Sequence, residues 1–260
     1  MNIVGIIPGR MASSRFPGKP LAKICGIPMI GHVYFRSKMS KTLNDVYVAT
    51  CDQDIFDYVQ SIGGKAIMTA NTHERASDRA AEALMKIEES TGRRVDVALM
   101  IQGDEPMFYP QMIDEVLKPM LDDDSVNVVN LMSVLRTREE QEDENVVKVV
   151  VDNNNDALYF SREPIPSRKK AKRDLVECHK QIAIIPFKRD FLFAFNKLSP
   201  TPLEIIESVD MLRFLEHGYK VKMVLTGFDT YGVDTPSDLD RVEKLMRTNE
   251  VFIKYGTKIS

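Results

Sequence analysis

The chain has 260 residues, 43% of them hydrophobic and 28% charged, with a formal net charge of −3. That composition is globular, gives no general attraction to nucleic acid or to a membrane surface, and contains no apolar run long enough to span a bilayer. Met1-Asn2 leads straight into an apolar run, so no secretory leader is expected, and the three scattered cysteines (Cys25, Cys51, Cys178) fit a reducing cytoplasm with neither a disulfide framework nor a zinc site.

In chain order, Val4 to Pro8 reads as a buried strand and Pro28 to Ser37 as a helix with proline in its first turn. Val46 to Thr50 is a strand, Asp54 to Ile62 a helix stopped by Gly63-Gly64, and Lys65 to Met68 a short strand. Ser77 to Glu89 is a helix with Ala80, Ala83, Leu84 and Ile87 on one face and Ser77 as a candidate N-cap. Val95 to Ile101 is a fully apolar central strand, followed by a helix over Pro110 to Met120. This βαβα rhythm predicts a mostly parallel sheet covered by helices.

The rhythm changes near residue 126. Val126 to Leu135 and Val146 to Val151 are β-branched runs separated by an acidic loop, Glu139 to Glu144, and a turn at Asn153 to Asp156 leads to a third run, Ala157 to Ser161. These read as antiparallel strands. Ile182 to Phe187 is a strand, Asp190 to Asn196 a helix, Leu203 to Gly218 one amphipathic helix, Val221 to Leu225 a strand, and Thr235 to Arg247 a last helix capped by Thr235 or Ser237. The expected architecture is a single domain over 1–260 with an inserted lobe over about 126–190.

The loop Pro8-Gly9-Arg10-Met11-Ala12-Ser13-Ser14-Arg15-Phe16-Pro17-Gly18-Lys19-Pro20 follows the first strand directly. Glycines let a backbone approach a ligand, and N–H groups with Arg and Lys charges suit phosphate. It is not a Walker loop: the glycine spacing is too long, and Pro20 stands where Ser or Thr would hold magnesium. Asp104 and Asp234 each follow an apolar strand and a glycine. Each thus stands at a strand's carboxyl end, where open α/β sheets bind ligands, and together they could hold magnesium; taken singly, each could equally be a turn or capping residue. Among the histidines, His32 falls in the first helix and reads as structural, whereas His73 and His179 fall in loops near the expected site.

The signature loop, Gln102-Gly103-Asp104-Glu105-Pro106, Val146-Val147-Lys148-Val149-Val150, Tyr159-Phe160-Ser161-Arg162-Glu163-Pro164-Ile165-Pro166 and Gly232-Val233-Asp234-Thr235-Pro236-Ser237-Asp238-Leu239 together resemble the nucleotide-sugar cytidylyltransferases, and within them the 3-deoxy-manno-octulosonate (Kdo) cytidylyltransferases. The resemblance runs over roughly residues 1 to 245. It implies a Rossmann-like nucleotide-diphospho-sugar transferase sheet with a smaller antiparallel lobe carrying acceptor and dimer contacts. It also implies an enzyme that joins CMP from CTP to a small acid and releases pyrophosphate for lipopolysaccharide or surface polysaccharide. By the same resemblance Asp104 and Asp234 ligate magnesium, and Arg10 and Lys19 contact the triphosphate and stabilise the charge of transfer. Pro8, Gly9, Ser77, Arg79 and Gln102 join them around the nucleotide. Arg162, Gln181 and Asp210 fall to the acceptor, Arg162 by pairing with its carboxylate. The partners implied are CTP, the acid and a second copy of the chain, in the cytoplasm.

The resemblance weakens at three acceptor positions. Gln181 stands where the family has His, and Asp210-Met211 where it has Glu-Gln. Met cannot replace the donors of Gln, so the departures predict discrimination against the octulosonate itself and admit a modified octulosonate, a nonulosonate or a phosphonate as the acid. A non-catalytic nucleotide-binding protein is the alternative of a different class. The basic run Arg168, Lys169, Lys170, Lys172 and Arg173 reads as a solvated loop or as a lid over anionic ligands.

Overall fold

Ile3, Val4, Ile6 and Ile7 are almost wholly inaccessible, as a central strand covered on both faces requires. They form β1 (Ile3–Gly9). The computed structural model describes residues 1–12, 16–170 and 177–256. It divides into two units: Met1–Asp114 together with the chain from Asp229 onward, and Glu115–Phe228.

In the first unit, β1 is followed by a 3-10 turn (Lys19–Leu21), the short antiparallel pair β2 (Lys23–Ile24) and β3 (Ile27–Pro28), and α1 (Met29–Lys38). Then come β4 (Asp45–Thr50), α2 (Gln53–Ser61), β5 (Lys65–Met68), α3 (Ala76–Thr91) and β6 (Val97–Ile101). Strands β6, β1, β4 and β5 lie side by side in that order, every pairing parallel. Crossover helices between parallel neighbours produce this order, as the alternating rhythm predicts. The helix α4 (Pro110–Asp122) contains the division between the units.

In the second unit the elements are β7 (Val129–Val134), α5 (Arg138–Glu142), β8 (Lys148–Val151), β9 (Ala157–Ser161), β10 (His179–Ile182), β11 (Ile184–Lys188), α6 (Arg189–Phe195), α7 (Pro202–Glu207), α8 (Met211–Glu216) and β12 (Lys222–Leu225). Its sheet runs β12-β7-β10-β8-β9. β10 is antiparallel to both β7 and β8, β8 is antiparallel to β9, and β12 is parallel to β7. The strands read as antiparallel therefore belong to a mixed sheet in which β10 separates β7 from β8. The lobe read over 126–190 falls inside the second unit, which continues to Phe228.

The first unit is completed by α9 (Pro236–Met246) and α10 (Glu250–Gly256). Ile24, Met29, Met107, Val233, Val242 and Met246 form one of its apolar clusters, which packs α9 beside the segments that follow the signature loop and Asp104. No helix among the described residues is long and apolar enough to cross a membrane.

Beyond the short strands β2 and β3, which had no counterpart in the reading, and the single strand read over Ile182 to Phe187, which is divided between β10 and β11, three helical regions differ from the sequence reading. The helix read over Leu203 to Gly218 is two helices, α7 and α8, because Ser208 adopts a left-handed conformation (φ 53, ψ 47) that ends α7. The acidic loop contains α5, capped by Thr137, whose Oγ1 accepts from Glu140 N at 3.1 Å. The helix α10 had no counterpart in the reading; its first turn is held by Asn249 Oδ1, which accepts from Val251 N and Phe252 N at 3.1 Å each.

Candidate active site

The signature loop is shaped by its glycines and by one aspartate. Gly18 takes a left-handed conformation (φ 75), from which the Lys19–Leu21 turn starts. Gly18 N donates to Met11 O at 3.1 Å and closes the loop, while Met11 N donates to Asp52 Oδ2 at 2.8 Å. Asp52, just past the end of β4, thereby fixes the backbone next to Arg10.

The turn places Lys19 between the two expected carboxylates. Its Nζ lies 3.2 Å from Asp104 Oδ2 and 3.4 Å from Asp234 Oδ1, and donates to Val233 O at 2.9 Å. Val233 N in turn donates to Asp104 O at 2.9 Å, so the two acidic segments are joined through backbone. The carboxylates keep about three-tenths of their side-chain surface exposed and the lysine 13%. Asp234 is not the helix cap. That role belongs to Thr235, in a reciprocal capping box with Asp238, and Asp238 also accepts from Asp234 N at 3.2 Å.

Beside this cluster lies a cavity of about 330 Å³ lined in part by Pro8, Gly9, Arg10, Lys19, Arg79, Gln102 and Asp104. Gly103 forms part of its wall, and a Cβ there would come within 3.0 Å of Ile30 Cδ1 and 3.4 Å of Pro8 O, so a side chain would displace the wall. Arg79 is 3% exposed. Its Nη1 donates to Thr69 Oγ1 and to Ala70 O, whereas its Nη2 has no hydrogen-bond partner among the described residues. A buried guanidinium donor left unmatched beside a cavity marks a place for an acceptor carried by a ligand. Ser77 is wholly buried in the first turn of α3, does not line the cavity, and is not the cap, which is Arg75.

His73, read as a loop residue near the expected site, also lines the cavity. Its Nε2 pairs with Glu82 Oε2, which also accepts from Ala70 N at 2.9 Å, while Lys86 pairs with Oε1 at 2.7 Å. Burial alone would raise the Glu82 carboxyl, but the bonds from Lys86, Ala70 N and His73 outweigh it and hold it down to about 2. No local sequence signal marks this pair, because the partners come from a loop and the middle of α3.

The three expected acceptor residues lie in the second unit. Arg162 donates from Nε to Glu207 O at 2.7 Å, from Nη1 to Glu144 O at 2.9 Å and from Nη2 to Ser208 O at 3.4 Å. Gln181 Nε2 donates to Asn130 Oδ1 at 2.5 Å. Asp210 precedes the first turn of α8, and Met211 is 1% exposed. Position 211 is therefore packed away, and the lost donors of Gln leave no gap on an accessible surface. The basic run from Arg168 lies outside the described residues from position 171 on.

A parallel α/β unit that gathers one carboxylate past the end of β6, a second from the loop before α9, a lysine between them and an arginine-lined cavity is the framework of a nucleotidyltransferase. The cytidylyltransferase family model matches residues 4–223. The 3-deoxy-manno-octulosonate cytidylyltransferase of Geobacter metallireducens is 43% identical over 95% of this chain and 99% of its own length, and that of Geotalea uraniireducens 42% identical over 93% and 98%. A solved CMP:2-keto-3-deoxy-manno-octonic acid synthetase complexed with CTP superposes with a TM-score of 0.87 at 39% identity, covering 95% of this chain and 99% of that one. The chain belongs to the 3-deoxy-manno-octulosonate cytidylyltransferase family.

Lys19→Ala is expected to weaken CTP binding by roughly ten- to a hundredfold and CMP much less. The resemblance puts Lys19 on the outer phosphates, so a charge-assisted contact would be lost and two carboxylates would face the triphosphate unscreened. Calorimetry with both nucleotides reads the difference, and equal losses would place Lys19 away from the outer phosphates.

Proposed function

We propose that this protein transfers CMP from CTP to 3-deoxy-manno-octulosonate and releases pyrophosphate, supplying an activated sugar acid for lipopolysaccharide. The observation that carries the reading is the seat of Lys19, within 3.4 Å of both Asp104 and Asp234 and on the wall of the arginine-lined cavity. Two partly exposed carboxylates converging on one point fit magnesium, which takes one or two protein carboxylates and completes its shell with phosphate oxygens and water. Asp104 and Asp234 are the residues that would hold it. When bound, the metal supplies Lewis-acid stabilisation of phosphate charge and a lower pKa for an attacking hydroxyl.

The chain's own residues then position the reactants and balance charge. Pro8 and Gly9 present backbone to the base, with Gln102 beside them, and Arg79 offers its unmatched Nη2 to a nucleotide oxygen or ring nitrogen. Arg10 and Lys19 stabilise the negative charge that grows on the α-phosphoryl group and on the departing pyrophosphate. The acceptor hydroxyl oxygen bonds to the α-phosphorus as the bond to the β-phosphate oxygen breaks, and the hydroxyl proton leaves to solvent. Ser77 acts only through the start of α3. Arg162, Gln181 and Asp210 serve the acceptor.

The name shared by the relatives favours the octulosonate over a nonulosonate or a phosphonate, and the burial of Met211 removes one ground for a changed acceptor. Pyrophosphate release measured across CTP, ATP and GTP, and across the octulosonate, a nonulosonate and an aminoalkylphosphonate, tests the reading. The largest kcat/KM is expected for CTP with the octulosonate. A higher value with another acid would move the specificity to that acid, and no release with any would leave a nucleotide-binding protein without this chemistry. We place the enzyme in the cytoplasm as a homodimer. The second unit exposes Leu158, Ile205 and Ile206, apolar surface a partner would cover, and sedimentation at the mass of one chain would remove the dimer.

A further inference from the structure

The first unit holds a second polar cluster, wholly buried, which the chemistry above does not use. Arg36, in the last turn of α1, is 0% exposed, and all five of its N–H donors are satisfied by neutral acceptors. Nε donates to Tyr255 Oη at 3.2 Å. Nη1 donates to Met107 O at 3.1 Å and Phe108 O at 2.8 Å. Nη2 donates to Met246 Sδ at 3.2 Å and to Asn249 Oδ1 at 2.8 Å. His32, one turn earlier and also 0% exposed, pairs through Nε2 with Ile24 O at 2.8 Å and through Nδ1 with Tyr255 Oη at 2.6 Å. A carbonyl can only accept, so Nε2 carries the imidazole proton and Tyr255 donates to Nδ1. The tyrosine oxygen therefore joins His32 to Arg36, and one network runs from Ile24 O through His32, Tyr255 and Arg36 to Met107, Phe108, Met246 and Asn249.

The ends of this network fall on the three segments that build the Lys19 cluster. Ile24 follows the Lys19 turn by three residues. Met107 and Phe108 follow Asp104 on the same loop, and Met246 ends α9, the helix whose capping box begins directly after Asp234. We propose that Arg36 is a positioning residue for the reaction. Its guanidinium, completed by Tyr255 and Asn249 of the C-terminal segment, sets the spacing of Lys19, Asp104 and Asp234.

The physical case rests on cost and rigidity. A buried cation without a counter-charge destabilises a fold compared with apolar residues of the same volume, so packing alone does not account for it. Apolar packing leaves neighbouring segments free to slide by fractions of an ångström, whereas a planar fork with five fixed donors does not. Two carboxylates that must share one ion tolerate little slippage, because displacement of about 1 Å costs on the order of a hundredfold in rate. By this account α10 is part of the active-site framework, though it carries no residue of the cavity.

The inference rests on the nucleotidyltransferase reading for its kinetic readout but not for its binding readout. Tyr255→Phe and Asn249→Ala in the full chain each remove one acceptor of Arg36 and leave both carboxylates in place. The expected result for each is a kcat lowered by roughly ten- to a hundredfold, with the KM for CTP changed less than about threefold. Mn²⁺ affinity in the presence of CTP, read by electron paramagnetic resonance, is expected to fall about tenfold. Arg36→Lys, which keeps the charge but loses the fork, is expected not to restore kcat; if it does not fold, the other two variants decide. Folded Tyr255→Phe with parental kcat and Mn²⁺ affinity, changed only in melting temperature, would reduce the network to packing and overturn the proposal. A parent chain that releases no pyrophosphate but binds Mn²⁺ would sink the functional reading alone, since the Mn²⁺ comparison still decides this one. A parent chain that binds no Mn²⁺ with CTP would overturn both.

Discussion

Asp104→Asn and Asp234→Asn are each expected to lower kcat by about a thousandfold or more while leaving the fold intact. Asn is isosteric with Asp, and neither side chain is buried enough for the change to leave an unmet charge in the core. Lys19 keeps its bond to Val233 O in either variant, so the loop retains an anchor. What disappears is one of two negative charges on the point where the proposed divalent cation would compete with an ammonium group. CTP affinity measured without metal is expected to hold or rise, because a negative charge has left the surroundings of a triphosphate. That opposite movement of turnover and metal-free affinity separates loss of a metal ligand from general damage. Far-UV circular dichroism, single-turnover kinetics at saturating magnesium and calorimetry without metal read it. Near-normal turnover in either variant would make that carboxylate a partner of Lys19 and nothing more.

The parts of the site nearest the strands were legible in the sequence because they are local. A strand, a glycine and an aspartate at its carboxyl end predict where Asp104 stands, whereas Asp234, read the same way, lies well past the end of β12 in the loop that leads into α9; Thr235 with Asp238 three residues on is a capping box readable from four letters. The convergence of the two aspartates on Lys19 came only with the structure, since no spacing rule joins residues 19, 104 and 234. Ser208 shows what periodicity cannot supply. The stretch from 203 to 218 keeps a helical apolar pattern, yet the chain turns left-handed there. The Glu207 carboxylate accepts from Ser161 Oγ at 2.8 Å and from Arg162 N at 2.7 Å, both on or just past β9, and Arg162 also holds Glu207 O. Contacts from some 45 residues away thus accompany the break. The reading of Ser77 failed for the opposite reason. A serine before an apolar helix reads as a cap, but the helix begins one residue earlier, at Ala76, and draws Ser77 inside. The α5 and α10 helices carried local marks, Thr137 and Asn249, but both are too short to show a period, so the caps had nothing to punctuate. Arg36 and His32 lie in a well-read helix, and nothing in the letters distinguishes a buried arginine from an exposed one.

Lowering the pH from 7 to 5 is expected to cost the fold about 2 kcal/mol through His32 alone. Burial, and next in the same direction the cationic Arg36, bring its pKa from the ordinary 6.5 down to about 4, against the opposing hydrogen bond to Ile24 O. The direction follows from which state takes up the proton. Between about 6.5 and about 4 the unfolded chain has a protonated His32 and the folded chain does not, so stability rises with pH across that window. The contribution is fully present above about 6.5 and lost as the pH falls toward 4; the whole shift corresponds to about 3 kcal/mol. Protonation would also put a hydrogen on Nδ1, which already accepts from Tyr255, so the tyrosine would have to turn its own proton away and accept instead, with a second positive charge next to a buried cation. The carboxylates with lowered pKa, such as Glu82 at about 2 against an ordinary 4.5, give way at lower pH and do not share this window. His32→Gln keeps one donor and one acceptor but does not titrate. Unfolding free energies from urea titrations at pH 7, 6 and 5 are therefore expected to fall in the parent and, between pH 7 and 5, to fall by about 2 kcal/mol less in the variant. Parallel pH profiles for the two proteins would mean that His32 already binds its proton in the fold, and the direction assigned here would be wrong.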